Sequence, residues 1–397
     1  MSLKDSPGNI GETLRILSVV TLFGIGRPPL HLSREMKTVD DQIVNPEAPV
    51  GSPRRIAPFP DLISLLHLVR LLHKYEPDFI QIHNFDGKVL RSFLSAFSNW
   101  CIQKIEHLFA AITNAWSVPS PQQHREITTE FSIAEPQKVR ILPLGIPLAA
   151  FETLPPPPPD RDELVVAWFG RLVAVKNVPL LIEVIEKSLQ AIPIIRFLIA
   201  GDGPERASVK NLAERSGGRV EYLGWQRDVR SVIDRADVLL QTSFNEGTPA
   251  ALIQGMAAAR PFLSTAVGGL TDMVTGQELV KDRAHWFTNG VLVPQEAAPF
   301  VSALQSFAQD RPLLLQMGIV ARQWALAQYA ESKMLETTHR LYSEYLSAKG
   351  HRVAPPLPTQ MASEVEMTRQ LSRLAEQTGQ QTPTDVNHEN ERLGTNK

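Results

Sequence analysis

The chain has 397 residues, 43% of them hydrophobic, and its 40 basic and 42 acidic side chains leave a net charge of −2. At roughly 150 residues per domain that is material for two or three cores, and the near balance of charge gives no composition-level case for a nucleic-acid binder or an acidic tail protein. Cys101 is the single cysteine, which excludes an intramolecular disulfide framework and a cysteine-rich zinc module and fits a reducing, cytoplasmic compartment; no run reaches the ~18 consecutive apolar residues of a spanning helix.

In chain order, Leu14–Val20 reads as a buried strand running into a glycine loop. A secretory leader is the weaker reading of this segment, because Asp5 and Glu12 precede it and no A-x-A site comes after it. Asp61–Lys74 is an amphipathic helix whose His67, Arg70, His73 and Lys74 surround a leucine face. That face either packs on a sheet or makes peripheral contact with anionic lipid at the inner membrane face. Asp78–His83 and Lys138–Leu142 read as strands, whereas Leu90–Ala111 shows helices and no strand. The first half is therefore strand-poor. Five prolines, Pro155 to Pro159, force an extended segment that fits neither helix nor central strand, and they read as a linker over 155–160.

Beyond the linker, short apolar runs alternate with helical patterns. Strands are expected at Glu163–Phe169, Ile194–Ala200, Val220–Leu223, Val238–Thr242 and Pro261–Ser264. Helices are expected at Val178–Ala191, Arg206–Ser216, Val229–Arg235 and Pro249–Ala259. This alternation means a parallel sheet covered on both faces, an α/β doubly wound domain over 161–330. Further helices are expected at Pro299–Gln309, Leu313–Tyr329 and Ser332–Lys349, and the polar tail over 350–397 reads as mostly disordered. The expected organisation is an N-terminal domain over 14–154, the linker, the domain over 161–330, a C-terminal helix over 331–349 and the tail.

Four features of the second half fall at strand–helix junctions, where doubly wound sheets bind ligands. Arg171 and Lys176 come just after the first strand and are placed to clamp a diphosphate. Gly201 and Gly203 in Ala200-Gly201-Asp202-Gly203-Pro204 permit close approach of a ligand to the backbone. Glu246-Gly247-Thr248-Pro249 offers a carboxylate to sugar hydroxyls. Pro249 suits a first helical position, leaving the amides of Thr248, Ala250 and Ala251 free for an anion. Val267-Gly268-Gly269-Leu270 is a further glycine junction. Together they suit a nucleotide diphosphate with a sugar attached. Asp160-Arg161-Asp162 has the D-x-D form of a metal motif but precedes a strand instead of ending one, so it is set aside.

FGRLVAVKN (Phe169–Asn177), AGDGP (Ala200–Pro204), YLGW (Tyr222–Trp225) and TSFNEGTPAALIQGMAAARPFLSTAVGG (Thr242–Gly269) resemble the donor domain of family 4 retaining glycosyltransferases, the glycosyl transferases of group 1. The resemblance implies the GT-B fold, with two Rossmann-like domains facing a cleft. It also implies a UDP- or GDP-sugar donor, a saccharide, lipid-linked or small-molecule acceptor, retention at the anomeric carbon, and no cofactor or required metal. By position, Arg171 and Lys176 would hold the diphosphate, Glu246 would lie near the donor sugar, and Gly201, Gly247, Thr248, Pro249, Ala250 and Gln254 would contact the donor. Gln254 stands where the family has a second glutamate, and Ala259 where it has a glycine. Leu14–Met36 resembles the family's opening strand and loop, with Gly24 and Gly26 against the donor, and His83 is a candidate acceptor-side residue. The strands expected between Lys37 and Arg54 look shortened or lost, and a strand with its His-Gly loop is not found near Ser98. Hence the rival expectation: a nucleotide-sugar-binding or partner-binding relative without turnover.

Overall fold

The computed structural model describes residues 16–20, 42–44, 79–83, 107, 110 and 115–348. The chain divides into two compact units, Met1–Asn99 and Trp100–Lys397.

In the first unit, strand β1 (Ile16–Val20) pairs in parallel with β2 (Gln42–Val44) on one side and β3 (Phe79–His83) on the other. β1 and β3 fall where the apolar runs place them. β2, in the proline-rich stretch where strands look shortened or lost, is present with three residues. Gly24, Gly26, the Asp61–Lys74 segment, Cys101, the stretch around Ser98 and the tail over 350–397 lie outside the described residues.

The first strands described in the second unit are β4 (Trp116–Val118) and β5 (Val139–Ile141), a parallel pair bridged by helix α1 (Pro121–Arg125). A short helix, α2 (Ala149–Glu152), leads into the prolines. Ile146, Leu148 and Phe151 are buried in the same apolar core as the main sheet. The proline run lies inside the second unit. These three apolar side chains, anchored in that core, hold the 146–151 segment to the sheet on the other side of the prolines.

The main sheet has eight strands. They are β6 (Leu164–Phe169), β7 (Ile195–Ala200), β8 (Val220–Gly224), β9 (Val238–Gln241), β10 (Phe262–Thr265), β11 (Leu279–Lys281), β12 (Ala284–Trp286) and β13 (Gly290–Val293). Their spatial order is β11-β12-β13-β10-β9-β6-β7-β8. From β13 to β8 every neighbour pair is parallel, while β11 and β12 add an antiparallel hairpin at one edge. Taken in sequence from β6, the parallel part has the order of a doubly wound dinucleotide-type domain. The chain moves outward from β6 in one direction and from β9 in the other, so the topological switch point lies between these two strands.

All six residues of β6 are buried. Leu164, Val166 and Trp168 enter one core, and Val165, Ala167 and Phe169 the other, as the two-residue period of a strand covered on both faces requires. Helix α3 (Val178–Ala191) covers the first face with Leu181, Val184, Ile185 and Ser188, spaced three and four apart. Its start is fixed by Asn177, whose carboxamide oxygen accepts from the Leu180 amide at 3.4 Å. Helices α4 (Arg206–Arg215), α5 (Arg230–Arg235), α6 (Ala250–Ala257), α7 (Ala297–Gln309) and α8 (Arg311–Tyr329) complete the layers, and α9 (Glu331–Ala348) comes last. Among the described residues no helix is long and apolar enough to cross a membrane.

Candidate functional site

The loops that leave β6 and β9 meet at the switch point. After β6 the chain makes a 3-10 turn at Ala174–Lys176, and Asn177, at φ 50°, turns it into α3. The loop after β9 is stitched to this turn. The Thr242 hydroxyl donates to the Lys176 carbonyl at 3.0 Å, and the Phe244 amide to the Val175 carbonyl at 2.9 Å. Lys176 and Glu246, seventy positions apart, are thereby brought together: Nζ lies 2.5 Å from Glu246 Oε1, with the two side chains 16% and 11% exposed.

The same oxygen accepts from Gln241 Nε2 and from Ser243 Oγ, each at 2.5 Å. Gln241 and Ser243 are buried at the carboxyl end of β9 and also bond each other at 2.9 Å. Three donors on one oxygen fix the Glu246 carboxylate and leave Oε2 with no partner among the described residues. An ammonium has three donors. Lys176 commits one to Glu246, and its other two have no acceptor among the described residues.

Sequence reasoning missed Gln241 and Ser243. The legible signal was a glutamine closing an otherwise apolar strand, Val238-Leu239-Leu240-Gln241.

Arg171, in the loop after β6, is exposed and has no side-chain partner among the described residues. Gly201 has φ 151°, and a Cβ there would stand 1.9 Å from the Gly170 carbonyl oxygen. Its amide donates to the Gly224 carbonyl, and its own carbonyl accepts from the Tyr222 hydroxyl. The close approach expected for a ligand is here an approach of the chain to itself, which sets the Arg171 loop on the loop after β7. Gly268 and Gly269 act in the same way. A Cβ on Gly269 would lie 1.8 Å from the Gly247 carbonyl oxygen, and the Gly269 amide donates to the Glu246 carbonyl at 2.9 Å. The loop after β10 is therefore the support of the Glu246-Gly247 loop.

Pro249, expected as the first helical residue, is instead the N-cap of α6, with φ −74° and ψ 104°. Its ring nitrogen has no hydrogen to lose at either position. The amides of Thr248, Ala250 and Ala251 find no acceptor among the described residues, as for the first turn of a helix. The Thr248 hydroxyl is buried and unpartnered among the described residues. Gln254, half-buried in α6, also carries a carboxamide with no partner among the described residues. His83 closes β3 in the first unit.

Asp160-Arg161-Asp162 is accounted for by its middle residue. Arg161 donates to the fully buried Asp237 at 3.1 Å. No cluster of three or more metal-ligating side chains exists among the described residues.

Residues 163–310 match the family model described as Glycosyl transferases group 1. The chain is similar to the putative glycosyltransferase EpsD of Bacillus subtilis, 27% identical over 47% of this chain and 47% of that protein. It is also similar to the gpi3 subunit of phosphatidylinositol N-acetylglucosaminyltransferase from Schizosaccharomyces pombe, 30% identical over 38% and 34%. The chain thus spans less than half the length of either relative. Among solved structures, HepE of Anabaena in complex with UDP superposes with a TM-score of 0.60 at 16% identity, over 84% of this chain and 100% of that one. Sucrose-phosphate synthase of Thermosynechococcus elongatus gives 0.60 at 21% identity, over 78% and 84%. The fold is GT-B.

Proposed function

We propose that the chain is a hexosyltransferase-type glycosyltransferase of family 4, moving a sugar from a UDP- or GDP-sugar to a saccharide, lipid-linked or small-molecule acceptor with retention of configuration. The observation that carries this reading is the Lys176–Glu246 pair across the switch point, on the same sheet edge as Arg171, the Thr248 hydroxyl and the first amides of α6, none of which has a partner among the described residues. Cations, donors and a carboxylate at one sheet edge suit a pyrophosphate joined to a polyhydroxylated ring.

Breaking a glycosyl–phosphate bond puts negative charge on the departing phosphate. In this proposal Arg171 and the two remaining donors of Lys176 meet that charge, an interaction stronger in the transition state than in the bound ground state. Glu246 Oε2 accepts a hydroxyl of the donor sugar, held in place by the three bonds to Oε1. Gln254 hydrogen-bonds the ribose diol, without the charge assistance of a carboxylate. The positive charge comes from side chains, so no metal is assigned a role. HepE, which shares the fold, is seen with UDP and with UDP-glucose, which favours UDP as the first donor to test.

Gln254, in place of the family's second glutamate, favours the rival reading, a donor-binding chain without turnover. One experiment addresses both: a panel of labelled UDP- and GDP-sugars, with binding and slow donor hydrolysis measured on the purified chain. Binding with hydrolysis is expected. Binding without hydrolysis, unchanged in Gln254→Glu, supports the rival, and no binding to any member contradicts both.

A further inference from the structure

Helix α1 is fastened to the donor loops from the far side of the sequence. Ser120, 2% exposed, caps it by accepting from the Gln123 amide at 3.2 Å. Asp272 then takes two donors from it, the Gln122 amide at 2.5 Å on Oδ2 and Arg125 Nη2 at 3.2 Å on Oδ1. Asp272 closes the 3-10 turn Gly268–Asp272, the turn whose Gly269 amide supports the Glu246 carbonyl. So α1, the turn after β10 and the loop after β9 are linked in series.

This linkage sets the Gln123 side chain over Gly247. A Cβ on Gly247 would stand 3.1 Å from Gln123 Nε2. The Gln123 carboxamide has no hydrogen-bond partner among the described residues, although it is half-buried. In the next residue of the same loop, the Thr248 hydroxyl is buried with none. Glu246 Oε2, one residue before, is likewise unengaged. Three polar groups without partners among the described residues, around one glycine, call for a ligand that presents several oxygens at close spacing.

We infer that Gln123 is a specificity-determining contact for the transferred sugar, its Nε2 donating to a hydroxyl or acylamino oxygen of the hexosyl ring lying over Gly247. This rests on the glycosyl-donor reading and adds a residue that neither the strand–helix junctions nor the motif resemblance marks. A carboxamide both donates and accepts, and the helix that carries it is tied to the turn after β10 by Asp272. It therefore separates ring substituents by whether they offer it an acceptor.

The test compares wild type with Gln123→Ala and with the near-isosteric Gln123→Met, using UDP, GDP, UDP-glucose, UDP-N-acetylglucosamine and the corresponding GDP-sugars. Affinity for the preferred free nucleotide is expected within about twofold of wild type, since the ring contact is absent there. Hydrolysis kcat/KM for the preferred sugar should fall roughly tenfold in both variants. The ratio between the best and second-best sugar should shrink about fivefold, a change that a purely structural role would not produce. Unaltered kcat/KM and unaltered ratio, with wild type active, overturn this inference alone. Wild type binding no nucleotide or nucleotide-sugar overturns the donor reading and this one with it.

Discussion

The two edges of the main sheet are built from similar residues to opposite ends. At the amino edge Asp237 and Arg260 are matched by the protein itself, although Arg311, which gives one Nη to Asp237, keeps Nε and Nη1 buried without a partner among the described residues. Asp237, fully buried just before β9, accepts from the Val165 amide at 2.7 Å, from Arg161 at 3.1 Å and from Arg311 at 3.2 Å. Arg260, 1% exposed just before β10, gives its guanidinium to the carbonyls of Ala236, Pro155, Ala258 and Asp234. Its pKa is pushed down to about 10 by that burial. At the carboxyl edge Arg171, Thr248 Oγ1, Glu246 Oε2 and the Gln123 carboxamide have no partner among the described residues. The difference is one of emphasis: at the amino edge most of the buried charge is paired within the protein, while the carboxyl edge leaves the hydrogen-bonding capacity that the proposed donor site would use.

Substitutions at the two edges test that contrast. Arg260→Ala removes the donor from four carbonyls, two of them in buried bonds, and should cost about 3 kcal/mol of stability in chemical denaturation, with nucleotide affinity of the folded protein unchanged. Loss of affinity there would break the separation of roles. Gly269→Ala forces a methyl to within 1.8 Å of the Gly247 carbonyl oxygen. The support loop must move, and about 2 kcal/mol of stability should go together with donor binding; a variant that keeps both would show that the two loops are not coupled.

A smaller effect is expected at the exposed pair of Arg235 and Glu221, where the hydrogen bond from Arg235 holds the Glu221 carboxyl below its ordinary value. A depressed carboxylate adds stability above its unfolded pKa and loses it as pH falls through the folded one. Glu221→Gln should therefore cost about 0.5 kcal/mol at pH 7, with the gap to wild type closing below about pH 4 in pH-dependent denaturation. A change of similar size and opposite sign is expected for Ala259→Gly. Ala259 is buried at φ 59°, a left-handed conformation that costs a residue with a Cβ about 1–2 kcal/mol. The glycine's extra freedom in the unfolded chain offsets part of that, so a gain of about 0.5 kcal/mol in melting experiments is expected. A loss would mean that the methyl's packing outweighs the strain.

Five of the sheet's eight strands, β6 to β10, were legible in sequence, and their order was not. β6, β7, β9 and α3 fall within one residue of where apolar runs and periodicity place them, because both faces are buried and the runs are continuous. The placement of β9 beside β6, which creates the switch point, comes from pairing between distant segments that no local pattern encodes. The β11–β12 hairpin was missed for a local reason. Its strands have three residues each, all of β11 is exposed, and Asp282-Arg283, at φ 52° and 62°, turns it without the usual Asn-Gly signature. In the site, Arg171, Lys176 and Glu246 were readable from motif and junction, and Lys176 and Glu246 do meet. The anchoring of Glu246 by Gln241 and Ser243, and of α1 by Asp272, depends on side-chain contacts that arise only once the loops are packed.

Lys176 is the most direct point of attack on the proposed donor site. Isothermal titration of UDP and GDP into wild type and Lys176→Ala, with melting temperature as control, isolates its role. The preferred nucleotide should bind at least about tenfold more weakly to the variant, while the melting temperature shifts by no more than about 3 °C. Equal affinity in the two proteins would contradict an anion site at the junction of β6 and β9.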